Sequence, residues 1–131
     1  MEAGTRDDPW ALTTAPGSSN YSMYVEDDVL VCVVGSTTLT YQARAVDDLR
    51  EWLVTQGDWV ALGGADEKKE APEGSVEAWG RIESNPVGGW YGTRNGYRGR
   101  FGVYLPPLLE HLGYVELEHN PRSNRVRAVS S

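Results

Sequence analysis

Arg94, Arg98 and Arg100 lie close together in the chain, interleaved with Tyr97 and flanked by Trp90, Tyr91, Phe101 and Tyr104. A guanidinium keeps its charge and offers a planar fork of donors that matches a carboxylate or a phosphate. Glycines at 88, 89, 92, 96, 99 and 102 let the backbone approach a partner closely. Their exposed N–H groups can also help to cradle an anion. The aromatic rings supply flat faces for stacking. The segment from Asn85 to Leu109 therefore suits an anion or a stacked ring, and the candidate ligand-binding residues are Arg81, Trp90, Tyr91, Arg94, Tyr97, Arg98 and Arg100. The competing reading is structural. Glycines beside aromatics mark tight turns, and arginines pair with carboxylates inside a fold.

Catalytic patterns are missing. The only histidines are His111 and His119, and no HExxH or CxxC spacing occurs, so no metal and no cofactor is expected. Gly96-Tyr97-Arg98-Gly99 lacks the GK[ST] ending of a phosphate-binding P-loop, and no GxSxG elbow marks a nucleophilic serine. If the protein is an enzyme, a carboxylate such as Glu77 or Asp58 would have to act as base, with an arginine orienting an anionic substrate.

Charge is divided along the chain. Residues 1–80 carry five Lys and Arg against fifteen Asp and Glu, whereas residues 81–131 carry seven Arg, no Lys and four Glu. The acidic half of a chain of net charge −7 argues against a non-specific nucleic-acid coat, so any nucleic-acid contact would be local. Cys32 is the only cysteine and sits in an apolar run, which suits an inert buried thiol. No stretch reaches membrane-spanning length, and the N-terminus is acidic and polar, unlike a signal peptide. These features predict a cytoplasmic protein with no membrane partner.

The elements that would position the basic segment are partly legible. At 131 residues one α+β domain is expected over 1–131, with 1–20 a partly ordered arm that docks through Trp10. Tyr21 to Ala43 reads as a three-stranded antiparallel meander, turning at Glu26-Asp27-Asp28 and at Gly35-Ser36, the latter with glycine first as a type II′ turn requires. Ala45 to Gln56 has the spacing of an amphipathic helix, with Asp47 and Asp48 near its start and Gly57 as its stop. Gly63 to Gly74 has no large apolar residue and is expected to be an exposed loop. Ser75 to Ile82 fits neither period, although Ser75 could cap a short helix. The basic segment is expected to be irregular. Pro106-Pro107 would open a short C-terminal helix. A β-hairpin follows, with Val115 and Leu117 inward against Val126 and Ala128, and Arg125 and Arg127 outward.

Two resemblances accompany these patterns. Leu108 to Glu116, followed by Asn120-Pro121-Arg122 and Arg125-Val126-Arg127, resembles the end of the recognition helix plus the wing of winged helix-turn-helix regulators. That likeness implies nucleic-acid contacts from Arg122, Arg125 and Arg127. The chain departs from it in its short, proline-opened helix and in Glu110. Over nearly its whole length the sequence resembles a small uncharacterised family of actinobacterial proteins. The likeness rests on Asp7-Asp8-Pro9-Trp10, Val46-Asp47-Asp48-Leu49, Val76-Glu77-Ala78-Trp79-Gly80-Arg81, Asn85-Pro86-Val87-Gly88-Gly89-Trp90-Tyr91-Gly92 and Arg98-Gly99-Arg100-Phe101-Gly102. It implies a bacterial cytoplasmic protein and brings no reaction, cofactor or catalytic residue.

The leading expectation is a non-enzymatic binding protein whose Arg/Gly/aromatic surface takes an anionic partner, either a small molecule or a locally bound nucleic acid. Two alternatives remain: a nucleic-acid-binding protein with a winged-helix-like C-terminal unit, and a small metal-independent enzyme acting on an anionic substrate. A third class is structural, with the tryptophans in a core or homodimer face and the arginines balancing the acidic half. A deep pocket lined by two or more of Arg81, Arg94, Arg98 and Arg100 would favour a small ligand or catalysis. A continuous positive strip joining Arg98 and Arg100 to Arg122, Arg125 and Arg127 would favour nucleic acid. Pairing of those arginines with Glu116, Glu118 or Asp47-Asp48 would favour structure.

Overall fold

Alternating side chains and tight turns build the N-terminal half. In the computed structural model, which describes residues 4–129, β2 (Asn20–Glu26), β3 (Val29–Val34) and β4 (Thr37–Gln42) form the expected antiparallel meander. Both turns have the twist that hairpins require. Asp27 and Asp28 take φ of 51° and 64°, the double positive φ of a type I′ turn. Gly35 takes φ of 58° while Ser36 stays negative, as type II′ demands.

The arm is more ordered than its composition indicates. Trp10–Thr13 forms β1, paired antiparallel with β2, so the sheet has four strands in the order β1-β2-β3-β4. Pairing along β2 creates this strand where no local pattern announces one. Residues 1–3 of the expected arm lie outside the described residues.

Helix α1 spans Ala45–Gln56 as expected and ends on Gly57 at φ 68°, whose N–H returns to the Leu53 carbonyl. A second sheet, ordered β5-β7-β6, joins β5 (Val60–Ala61) to the C-terminal hairpin of β6 (Val115–Leu117) and β7 (Arg125–Ala128). The hairpin register is Val115 opposite Ala128 and Leu117 opposite Val126, so these side chains share the inward face. Between the sheets come α2 (Val76–Trp79), capped by Ser75 Oγ accepting from the Ala78 N–H, and α3 (Phe101–His111).

Helix α3 begins earlier than its sequence suggests. Pro106 and Pro107 lie inside it rather than opening it, although neither can donate the helical hydrogen bond. Eight of its residues are buried, among them Phe101, Leu105, Leu108 and Leu109, and that burial outweighs two missing bonds. It touches β1, β6, α1 and α2, and so links the two sheets. Tyr21 Oη donates to the Tyr104 carbonyl at 2.8 Å, tying β2 to this helix. One apolar cluster includes Met23, Leu30 and Tyr41 of the first sheet, Leu49 and Leu53 of α1, and Val126 of the second sheet.

At the far end of α3, His119 bridges two segments. Its Nδ1 meets the Ala15 carbonyl at 2.9 Å and its Nε2 meets Glu110 Oε2 at 2.6 Å. Both partners are acceptors, so the geometry suits the doubly protonated cation. The Glu110 carboxylate, then the Ala15 carbonyl, raise the His119 pKa above its ordinary value. A raised folded-state pKa adds stability that is complete below the unfolded value of about 6.5 and is lost as pH rises through the folded one. The urea midpoint is therefore expected to fall as pH rises above neutrality, and Glu110→Gln should flatten that slope while returning the His119 ring titration, followed by NMR, towards about 6.5.

Candidate functional site

A buried carboxylate organises the start of α3. The backbone of Arg100, just before the helix, is left-handed at φ 62°, and its side chain caps nothing. The cap comes instead from Glu77 on α2. Glu77 Oε1 accepts from the Gly102 N–H at 2.8 Å and the Ala65 N–H at 3.2 Å, and Oε2 accepts from Arg81 Nη2 at 2.7 Å. An anion at a helix N-terminus is favourable on electrostatic grounds. Burial pushes the Glu77 pKa up, against the pull of Arg81 and of the two backbone donors. With 1 % exposure and both oxygens occupied, Glu77 does not face a substrate as the expected base would. Asp58 accepts from the following Trp59 N–H at 2.7 Å, a local turn contact.

Arg81 is committed to the same network. Besides Glu77 it donates to the Lys69 and Ala65 carbonyls at 2.8 and 3.2 Å, and its guanidinium lies over the Trp90 ring at 4.4 Å. The loop expected to be exposed thus folds back, and Ala65, Asp66 and Glu67 are half-buried. Gly99 and Gly102 permit this approach. A Cβ on Gly99 would overlap the Glu67 amide nitrogen and come within 2.6 Å of the Asp66 carbonyl carbon, and one on Gly102 would overlap the Leu62 carbonyl oxygen.

Of the remaining candidates, Trp90 and Arg98 gather with Arg81, whereas Tyr91, Arg94 and Tyr97 lie apart from them. Tyr91 is fully buried in a three-ring cluster with Trp79 and Phe101, its hydroxyl donating to Asp48 at 2.9 Å, so it forms core and not a ligand wall. Asp48 also accepts from Arg44 at 2.8 Å, which explains a carboxylate on the inner face of α1. Arg98 pairs with Glu67 at 2.7 Å and lies over Trp90 at 4.6 Å. Arg94 donates to the Thr38 carbonyl at 2.6 Å and covers Tyr97 at 4.0 Å. On the hairpin, Arg125 and Arg127 pair with Glu118 and Glu116 at 2.8 and 3.3 Å and lie over Trp59 at 5.3 and 4.5 Å. Arg122 is exposed, without an ion pair among the described residues.

Arg100 differs from these. It pairs with Asp66 at 2.6 Å, keeps 48 % of its side chain exposed, and together with Tyr104 belongs to the walls of two cavities of about 700 and 640 Å³. Both fall in the size range of small-molecule sites. The larger lies between the β1–β2 turn, which contributes Thr14, Ser18 and Ser19, the Gly63-Gly64 backbone, Ser123 of the β6–β7 turn and Arg125 at the start of β7. Among the described residues, Arg100 and Arg125 are the only charged ones in its wall. Thr14 Oγ1 is buried at its edge without a hydrogen-bond partner. Sequence reasoning missed Thr14, Ser18, Ser19 and Ser123 because they come from two turns more than a hundred residues apart. Only Arg100 of the sequence-derived ligand set reaches this cavity.

Among the described residues no group of three or more His, Cys, Asp or Glu is placed to hold a metal, and no helix is long and apolar enough to cross a membrane. Cys32 is buried, which pushes its thiol pKa up to about 12. No curated protein and no solved structure matches the chain. A family model does match residues 2–129, and the chain thereby belongs to DUF6855, a family of unknown function.

Proposed function

We propose that this chain is a non-enzymatic binding protein that takes an anionic small molecule at Arg100, in the cavity between the two sheets. One observation carries the reading. In a chain of net charge −7, that cavity has Arg100 and Arg125 and, among the described residues, no carboxylate in its wall; Asp66 and Glu118 pair with these arginines from outside it. Its Ser hydroxyls and the Gly63-Gly64 backbone add donors suited to carboxylate or phosphate oxygens. Supporting it, Arg100 occupies a left-handed backbone conformation that glycine would adopt more readily, and non-glycine residues held there concentrate at functional sites. The wing-like reading has less support, since Arg125 and Arg127 are engaged by Glu118 and Glu116. The resemblance to actinobacterial proteins supports a bacterial cytoplasmic setting.

The substitution Arg100→Gly separates binding from folding. It removes the guanidinium and a half-exposed ion pair while relieving the positive φ, so stability should stay within about 1 kcal/mol of wild type. Inorganic phosphate or malonate at a hundred times its Kd should stabilise wild type by about 2.7 kcal/mol and leave Arg100→Gly unmoved in a thermal-shift titration. Equal responses from both proteins, or none from wild type, would reject the site. A short oligonucleotide that alone stabilises, and does so far less at high salt, would replace the small molecule with nucleic acid.

A further inference from the structure

The second cavity gives this anion site a chemical direction. On the other side of Arg100 and Tyr104, its wall includes Tyr97, with Val34 and Leu39 as apolar surface. Tyr97 is 43 % exposed, so part of its ring is open to a partner. Its position is nevertheless fixed. Arg94 lies over the ring at 4.0 Å and is itself held by the Thr38 carbonyl, so the tyrosine is preorganised at little further entropic cost to a ligand. The carboxylates in this wall, Asp66 and Glu67, are taken up by Arg100 and Arg98, whereas Lys68 and Lys69 have no ion pair among the described residues. An aromatic wall, an apolar surface and uncompensated cations thus meet around Arg100.

We infer that an anion bearing a planar ring, as an aromatic phosphate ester does, seats in this second cavity, with its anionic group on Arg100, which lines both cavities, and its ring against Tyr97. This rests on the binding role proposed for Arg100. Stacking on a fixed tyrosine should make phenyl phosphate bind about fivefold to tenfold tighter than glycerol 3-phosphate, which has the same anion and no ring. Calorimetric titration of the full chain with both esters and with inorganic phosphate tests it. The preference is expected in wild type and in Tyr97→Phe, which keeps the ring, and is expected to vanish in Tyr97→Ala. Equal affinity of the two esters for wild type, or a preference that survives Tyr97→Ala, overturns the inference while leaving phosphate binding at Arg100 intact. Failure of all three probes to bind wild type overturns both.

Discussion

Glu77→Ala is expected to lower stability by about 3–5 kcal/mol, the range for removing one partner of a buried charge pair. In thermal melts that corresponds to a Tm lower by roughly 10–20 °C for a domain of this size. Three separate losses coincide in the substitution. The Gly102 N–H at the start of α3 loses its acceptor, the Ala65 N–H loses its own, and Arg81 keeps a charge that is largely out of water. Glu77→Gln refines the expectation. Its amide oxygen can still serve both backbone donors, but its NH2 group would face the Arg81 guanidinium donor to donor, so roughly half of the loss should remain. A Glu77→Ala protein that melts with wild type would mean that α3 does not depend on this cap.

Gly99→Ala is the second large effect, at about 3 kcal/mol, near the upper end for overpacking a fitted contact. Gly99 does not have positive φ, so alanine meets no intrinsic backbone penalty there; what it meets is the backbone of residues 65–67. Backbone has no rotamer with which to give way. The loop would have to lift, taking with it the Arg100–Asp66 and Arg98–Glu67 pairs and the bond from the Arg100 N–H to the Ala65 carbonyl. Gly96→Ala is the matching contrast, because Gly96 has open space around it but φ of 86°, which costs about 1–2 kcal/mol. Chemical denaturation of the two variants side by side distinguishes the causes. A smaller loss at Gly99 than at Gly96 would show that close approach is not what requires glycine at 99.

These positions also explain how much of the molecule is legible from sequence. The β2–β4 meander, α1 and the β6–β7 hairpin follow from period-2 and period-3.6 patterning and from turn residues, all of which act over a few neighbours. Even the outward placement of Arg125 and Arg127 follows once Val115 and Val126 are put inside. Strand β1 does not, because Trp10–Thr13 becomes a strand only by pairing with β2. The start of α3 is hidden by its prolines, and the packing of Ala65 to Glu67 is hidden by their polarity. The i,i+4 spacing of Glu77 with Arg81 was the one local signal of the buried network, and it needs a helix at 76–79 before it can be read. The basic segment is irregular, as its glycines lead one to expect, but Arg94, Arg98 and Arg100 are all bound to carboxylates or carbonyls of distant segments, and sequence spacing does not record such pairings.

The segment that follows Trp90 has one more consequence. Strand β4 is the last in its sheet, and residues 91–93 run along its open side. The Gln42 N–H bonds the Tyr91 carbonyl at 2.9 Å, the Thr93 N–H bonds the Thr40 carbonyl at 2.8 Å, and Tyr41 bridges Gly92. An unpaired strand edge is a template for another chain. The same stretch that leads into Arg94, Tyr97 and Arg100 therefore also acts as a guard on solubility. Whatever loosens it, a substitution or a badly fitting partner, would leave β4 open to pairing with its counterpart in a second molecule, and self-association would then accompany the loss of the proposed site.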